Sequence, residues 1–192
     1  MNDIFNHVIN DQVDLRLLEC RHADDLCCVI ESNREYLSKW FPWVTNSKTP
    51  EDSRAFIESE LQRFAKNNGF SAGIFHADQF IGNISFHEIN WTTKMTSIGY
   101  WISAEYQGRG IMTACCQALL NYGFAELGLN RIEIRARTDN EKSKAIPIRL
   151  GFKQEGILRQ VDLNHGHYYD HVVFGLLKDE WKVLPWANSK GY

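Results

Sequence analysis

The sequence predicts an α/β (α+β) fold, with one sheet of about seven strands and helices on both of its faces. The first observation is the order of the segments, which follow one another as β-α-α-β-β-β-α-β-α-β-β. The second is the length of 192 residues, which suits one domain with a buried core. The third is that no repeat, low-complexity stretch or linker divides the chain. We therefore expect a single domain over residues 1–192, with a core at about 13–181 and a mobile tail after about 182.

The first quarter of the chain contains a strand followed by two helices. Val13–Leu18 alternates in part and is predicted as a strand. Ala23–Lys39 has apolar residues at helical spacing and two aspartates near its start, where a helix favours negative charge. The aromatic-rich segment Trp40–Trp43 ends this helix. A second helix begins after the cap residue Thr49, with proline at its first position, and runs to about residue 66.

The middle of the chain changes to a two-residue period. Phe70–His76 and Gln79–Glu88 are predicted strands, and the short turn at Ala77 and Asp78 indicates a hairpin. Met95–Ser103 is predicted as a further strand.

The last part of the chain alternates helices and strands. Ile111–Leu127 is apolar on most sides, which indicates a buried helix, and Gly128 closes it. Arg131–Arg137 alternates as a half-buried strand, and Asn140–Leu150 is a short helix. Two strands joined by a turn complete the pattern: Phe152–Leu163, the turn Asn164–Gly166, and His167–Leu177.

The composition argues against several classes of protein. A formal net charge of -3, without a basic cluster, is unlike a general nucleic-acid binder. No apolar run approaches the roughly 20 residues that span a membrane. The five cysteines are odd in number and include two adjacent pairs, which does not suit a disulfide framework. Reduced thiols in the cytoplasm explain them better.

One segment, Trp101–Thr113, indicates an anion-binding loop. A predicted strand runs into Gln107-Gly108-Arg109-Gly110, and a predicted helix follows at once. Glycines allow the backbone to turn tightly and to approach a ligand closely. The free N–H groups of the first helical turn, together with the helix dipole, favour a negative charge. The pattern therefore predicts a pyrophosphate site, without identifying the ligand.

Two common nucleotide motifs fit this loop poorly. A Walker P-loop requires Gly-Lys-Ser/Thr, and that sequence does not follow here. A dinucleotide fingerprint requires a third glycine, but that position is Thr113, and the preceding strand lies in mid-chain after a hairpin.

The loop resembles the GNAT superfamily of N-acetyltransferases, whose motif is [QR]-x-x-G-x-[GA] between a strand and a helix. Here Gln107-Gly108-Arg109-Gly110-Ile111-Met112 occupies that place, and Met112 departs from the last position. A second similarity is Asn140-Glu141-Lys142-Ser143, followed by Leu150-Gly151-Phe152. The pieces I-G-Y-W-I and L-L-K-D-E-W are similar to the ribosomal-protein-serine/alanine N-acetyltransferase branch, and the likeness runs over most of the chain.

The resemblance implies a fold and a cofactor. The sheet is expected to be mixed and strongly twisted, with strands 95–103 and 131–137 splayed apart to form the cofactor cleft. The cofactor is acetyl-coenzyme A, whose pantetheine arm would lie along Asn140 and the edge of strand 95–103. The expected cofactor-binding residues are Ile102, Gln107, Gly108, Arg109, Gly110, Ile111, Met112, Thr113, Asn140 and Ser143.

The resemblance also implies an activity, the transfer of an acetyl group to a primary amine by direct attack. The branch points to the N-terminal amine of a ribosomal protein as acceptor. A small-molecule amine, a non-catalytic coenzyme A–binding module and another nucleotide-binding α/β protein are the alternatives. A homodimer is also considered, because relatives are often dimers. No nucleic acid or membrane partner is expected.

The catalytic residues are less clear from the sequence. The tyrosine that protonates the thiolate in the family falls at Pro147 here, and Ser143, the equivalent of the branch's proposed donor, is the candidate. Our candidates for the base are His87, Glu105 and Glu88, in that order, and alternation along a strand allows only one of His87 and Glu88 to face the site. Many relatives carry glutamate at the position of Ser97.

Aromatic residues are expected at the acceptor pocket. Trp40 and Trp43, with Phe41 between them, lie where family members wall that pocket, although core packing also explains them. Glu88 is the expected polar residue there. His165, His167 and His171 lie in and after a predicted hairpin turn without a cysteine or acidic companion, so no metal site is expected.

Overall fold

The computed structural model describes residues 6–187, which form one eight-stranded mixed sheet with helices on both faces. The sheet order is β1-β2-β3-β4-β5-β6-β8-β7. The strands are β1 (Asn6–Val8), β2 (Val13–Leu17), β3 (Phe70–His76), β4 (Gln79–Phe86), β5 (Met95–Ile102), β6 (Arg131–Arg137), β7 (Lys153–Asn164) and β8 (His167–Leu177). The predicted fold class is therefore confirmed, with one short edge strand, β1, in addition to the seven predicted.

The helices pack against the two faces of the sheet in two separate apolar clusters. They are α1 (Ala23–Ser32), α2 (Arg34–Ser38), α3 (Pro50–Ala65), α4 (Ile111–Asn121), α5 (Glu141–Arg149) and α6 (Lys178–Trp181). One cluster joins α4 to the sheet through Cys115, Leu119 and Leu120. The other joins α1 and α3 to the opposite face through Leu26 and Ile57.

β5 and β6 separate part-way along their length. Only Met95–Ile98 of β5 and Arg131–Ile134 of β6 pair with each other, in parallel. Every other strand pair in the sheet is antiparallel. Beyond Ile98 and Ile134 the two strands are no longer hydrogen-bonded to each other. The predicted splayed cleft is therefore present between strands at the centre of the sheet.

The predicted helix over 23–39 is interrupted at Asn33. This residue ends α1 and precedes α2, and its side-chain oxygen accepts a hydrogen bond from the Ala104 amide at 2.9 Å. The contact joins residues 71 positions apart, so helical periodicity could not reveal it. The prediction of one continuous helix was wrong: the chain leaves helical geometry at Asn33, whose side chain bonds to the Ala104 amide.

The other helix predictions need smaller corrections. α4 ends at Asn121, and residues up to Glu126 form a π-helical turn before Gly128 with φ 65°. The chain after residue 181 packs in part: Leu184, Trp186 and Ala187 lie against the core. A mobile tail thus does not begin at 182, and residues 188–192 lie outside the described residues.

Candidate active site

The glycine loop has the geometry of an open anion cradle. Gly108 and Gly110 have φ values of 73° and 78°, in the left-handed region, and a Cβ at either position would meet nothing within 4 Å. The first i→i−4 hydrogen bond of α4 runs from the Ala114 amide to Gly110 O at 3.1 Å. The amides of Ile111–Thr113 therefore have no partner within the helix, and the loop is open on the outside.

The first residues of α4 direct their side chains away from this cradle. Ile111 and Met112 are 8% and 7% exposed and belong to the core under the sheet. Met112, the position that departs from the motif, therefore leaves the backbone amides uncovered. Thr113 accepts a hydrogen bond from Arg149 Nη1 at 2.8 Å, which ties α4 to α5.

The loop lies beside the start of α5. Lys142 Nζ donates to Gln107 Oε1 at 3.0 Å, across 35 residues of sequence. Asn140 is the N-cap of α5, and its side-chain oxygen accepts from the Ser143 amide at 3.1 Å. The structure thus brings together the glycine loop, Asn140 and Ser143, as the sequence predicted.

A cavity of about 900 Å³ opens where β5 and β6 separate. Gly99, Tyr100 and Trp101 all line it, and because successive strand residues face opposite sides, the cavity reaches through the sheet at this point. Its other walls come from α1, the segment 40–47, α3, β4 with the residue after it, β6, the start of α5, β7 and β8. The polar and charged residues of these walls are Asn46, Ser47, Asp52, Ser53, Glu60, Arg63, Asn83, Ser85, His87, Arg135, Arg137, Asn140, Ser143, Asp162 and His171.

His87, at the end of β4, lies in the wall of this cavity. Its Nδ1 is 2.9 Å from Ser97 Oγ. The residue is exposed, and its ring lies in the open wall of the cavity. Partial desolvation of the ring there, together with the positive charges of Arg63 and Arg135, lowers the pKa of His87 below its ordinary value of 6.5. The imidazole is therefore neutral near pH 7 and able to accept a proton.

Ser143 contacts a tyrosine hydroxyl. Ser143 Oγ donates to Tyr100 Oη at 3.4 Å, and Tyr100 Oη donates to the backbone oxygen of Ser143 at 3.1 Å. Burial raises the pKa of Tyr100 far above its ordinary value, so the phenol stays protonated. Two hydroxyl groups thus meet at the end of the cavity nearest Asn140.

Aromatic side chains form one wall of the cavity. Trp40 and Trp43 both line the cavity, and the Trp43 ring lies 5.7 Å from Phe41 and 6.3 Å from Trp101, centroid to centroid. The guanidinium of Arg137 lies 5.2 Å from the Trp40 ring. These rings face the cavity as well as one another, so they are more than core packing.

Comparison with known proteins identifies the family. The acetyltransferase (GNAT) domain matches residues 12–153. The chain belongs to the GNAT acetyltransferase family. YdaF of Bacillus subtilis (strain 168), an inferred ribosomal N-acetyltransferase by its name, is 38% identical over 180 residues, covering 93% of this chain and 98% of that protein.

Two solved structures are also similar to this acetyltransferase. RimL, a ribosomal L7/L12 α-N-protein acetyltransferase in complex with coenzyme A, superposes with a TM-score of 0.87 at 26% identity, covering 92% of this chain and 99% of that one. The microcin C7 self-immunity acetyltransferase MccE, in complex with acetyl-CoA and AMP, gives 0.84 at 28% identity, covering 88% and 94%.

The GNAT protein is an acetyl-CoA-dependent N-acetyltransferase, and its residues fit that cofactor. The open cradle at Gly108 and Gly110 offers unpartnered amides, and Arg109 and Lys142 add positive charge beside it. When bound, acetyl-CoA supplies an activated acetyl thioester. In residues 6–187 no group of three His, Cys, Asp or Glu side chains could hold a metal ion, and no helix is long and apolar enough to cross a membrane.

Besides the glycine loop and the first turn of α4, three predicted residues do not line the cavity. Glu105 is exposed in a short turn between β5 and the glycine loop. Glu88 points to a second, smaller depression, as the alternation with His87 required, so the prediction that it lines the acceptor pocket is not supported. Ile102 has a buried side chain, so only its backbone is available to a ligand.

The sequence interpretation missed several side chains of the acetyltransferase cavity. Tyr100 belongs to the quoted I-G-Y-W-I segment but received no role. Glu60 and Arg63 form an ion pair one helical turn apart on α3, and burial raises the pKa of Glu60. His171 Nε2 lies 3.5 Å from Asp162 Oδ2, on two paired strands. A Glu-x-x-Arg spacing could have signalled the first pair, whereas the last depends on a register shift in β7.

Proposed function

We propose that this acetyltransferase acts, as a single catalytic domain, on the N-terminal α-amino group of a protein, and specifically of a ribosomal protein. The observation that carries the proposal is the space around His87. The main cavity shares Ser97 and Arg135 with the second depression, so space continues past the base. A protein N-terminus requires such space for the residues that follow the amine. The similarity to YdaF and RimL, which are named as ribosomal acetyltransferases, supports the same acceptor class.

A modest base is sufficient for this acceptor. An α-amino group has a pKa of about 7.7–8.0 and is substantially neutral near pH 7, whereas neutralising a lysine costs about 4 kcal/mol more. A neutral His87 can take the single proton that the attacking α-amine must lose. We therefore assign His87 as the base, ahead of the exposed Glu105.

The cofactor-side residues hold the thioester in place. In this proposal the amides of Gly108–Thr113 bind the diphosphate, Asn140 binds the pantetheine arm, and the backbone at Ile102 borders the acyl end. Ser143, in contact with Tyr100, donates a proton to the departing sulfur. Holding amine and thioester together in one cavity supplies much of the rate.

A small-molecule amine is the second candidate acceptor. Four aromatic side chains, Trp40, Phe41, Trp43 and Trp101, line one wall of the cavity and would stack on a planar group. The likeness to MccE, whose structure contains AMP, supports this alternative.

The decisive experiment measures thiol release from acetyl-CoA with matched peptides. Peptides that begin with Ser or Ala should release thiol and gain one acetyl group at the α-amine by mass spectrometry. The same peptides with a blocked N-terminus and an internal lysine should be inert. Turnover of small amines alone would instead favour the second candidate. Ser143→Ala should lower kcat; an unchanged kcat would remove Ser143 from the mechanism.

We also propose a homodimer and a cytoplasmic location. Ile157, Val161, Leu163 and Tyr168, on the β7–β8 hairpin at the sheet edge, are between 52% and 64% exposed. An edge strand that exposes apolar side chains is suited to pairing with a second copy. Sedimentation velocity at several protein concentrations tests the dimer, and a monomer throughout would contradict it. The location follows from the proposed ribosomal acceptor.

A further inference from the structure

Two small residues of β5 surround the His87 ring. Ser97 and Gly99 are two positions apart, so they face the same side of the sheet. Ser97 Oγ lies 2.9 Å from Nδ1 of the ring. A Cβ at Gly99 would lie 2.5 Å from Nε2 and 2.7 Å from Cε1, which is too close for any side chain. The ring therefore occupies the space that a missing side chain leaves above β5.

We infer that Ser97 and Gly99 are positioning residues that make His87 the base of acetyl transfer. Ser97 accepts the Nδ1 proton, so Nε2 carries the lone pair. Gly99 allows Nε2 to lie directly over β5, where that strand turns from β6 and borders the cleft. The inference rests on the proposed function, and it identifies which neighbouring residues orient the proposed base.

The charges around the ring agree with a neutral imidazole. Arg63 reaches it from α3 and Arg135 from β6, and both disfavour the imidazolium. Each arginine is itself paired with a carboxylate, Glu60 and Glu133 respectively. Those carboxylates hold the guanidinium groups in place instead of pairing with the ring.

In the chemical step one proton moves from the amine to His87 Nε2, and the Nδ1 proton of His87 stays in place. The neutral amine forms a C–N bond to the thioester carbonyl carbon, and the C–S bond breaks with its electron pair on sulfur. The proton that the amine nitrogen loses goes to His87 Nε2. The resulting imidazolium keeps its Nδ1–H bond to Ser97 Oγ, which stabilises the positive charge.

The first test reads the tautomer in the protein without cofactor. Long-range ¹H–¹⁵N spectra of histidine-labelled protein, with the His87 signals assigned by His87→Gln, should show the Nδ1–H tautomer. Ser97→Ala should shift the population toward Nε2–H. Thr96→Val is the matched control, because Thr96 Oγ1 bonds only the backbone oxygens of His87 and Glu88. An Nε2–H tautomer in the wild type, or no change in Ser97→Ala, overturns the inference.

The second test uses the pH dependence of kcat/KM. Protonation of the α-amine, with a pKa of about 7.7–8.0, begins the acid limb. The folded His87 has a pKa below 6.5, so this limb should become steeper as pH drops through that lower value. Ser97→Ala removes an acceptor from the imidazolium, which lowers this pKa further and moves the acid limb to lower pH. It should also reduce kcat about tenfold, the equivalent of one hydrogen bond. Ser97→Thr keeps a hydroxyl at this position, so it should retain both the acid limb and the kcat of the wild type. Loss of either in Ser97→Thr contradicts a role for the hydroxyl.

Gly99→Ala completes the comparison. Alone it should displace the ring and lower kcat with little change in the KM for acetyl-CoA. In a His87→Gln background it should have almost no further effect on kcat, because the ring it displaces is absent. Additive losses would show that Gly99 acts independently of His87. A wild type without turnover on any amine would remove the proposed function, while the tautomer measurement would still decide this inference.

Discussion

The proposed cofactor side and the proposed acceptor side of this acetyltransferase are built in opposite ways. The proposed cofactor side consists of backbone amides of one continuous segment, Gly108–Thr113, next to the N-terminus of α5. The proposed acceptor side consists of side chains from eight helices and strands, from Leu26 to His171. A local sequence motif can therefore describe the first, whereas only the fold assembles the second. Changes on one side should leave the other side's binding constant unchanged.

The strongest test of that independence is Gly110→Ala. At φ 78° an alanine costs about 1–2 kcal/mol, so the loop leaves this conformation and its amides no longer converge. Coenzyme A binding must then restore the loop conformation at this cost in free energy, so the Kd of coenzyme A should rise about tenfold. Isothermal titration calorimetry measures this value, and the KM of the acceptor should stay constant.

Gly128→Ala is the matched control for this loop. Gly128 also has a positive φ, 65°, and a Cβ there would also meet nothing within 4 Å, but it lies beyond the other end of α4. It should lower stability by a similar amount and leave the Kd unchanged. Equal weakening in both variants would mean that stability, and not the amide cradle, governs cofactor affinity.

The corresponding change on the acceptor side is Trp43→Ala. Removing this ring takes an aromatic face from the cavity wall, and an acceptor that packs on it would lose about 1 kcal/mol, so the acceptor KM should rise about fivefold. The Kd of coenzyme A should not change. Trp91→Ala is the control, since Trp91 is also 39% exposed but does not line the cavity. An acceptor KM that responds equally to both variants would argue against the aromatic wall.

Much of the fold could be predicted because most of its signals are local. The hairpin turn at Ala77 and Asp78 has two positive φ values, and Thr49 caps α3 by accepting from the Asp52 amide at 3.2 Å, both as the sequence indicated. What could not be predicted depends on distant partners. The break at Asn33 requires Ala104, and the edge strand β1 is a three-residue segment paired to β2.

The candidate site likewise contains parts that local sequence signals indicate and parts that depend on distant contacts. The glycine loop and the Asn140 cap are each formed by neighbouring residues of the chain, so local motifs indicate both, although the contact that joins them spans 35 residues. On the acceptor side the sequence identified His87 but not its partner, because Ser97 was considered only as the loss of a carboxylate. Tyr100 reaches Ser143 across 43 residues, a contact that no spacing rule indicates.

Asn140 is the residue at which the two sides meet, and it gives the smallest predicted effect. It caps α5 through the Ser143 amide and also lines the acceptor cavity. Asn140→Ala should cost about 1 kcal/mol through the lost cap, which lowers Tm by about 2–4 °C in a domain of this size. Differential scanning calorimetry measures this change.

Asn140→Ser separates the two roles, because serine caps a helix nearly as well but lacks the amide that would reach the pantetheine arm. Its Tm should remain close to that of the wild type, while the Kd of coenzyme A should rise as much as in Asn140→Ala. If affinity instead follows Tm, Asn140 acts only by holding the start of α5. The independence of the two sides would then fail at this residue, because a helix cap that positions Ser143 would influence both.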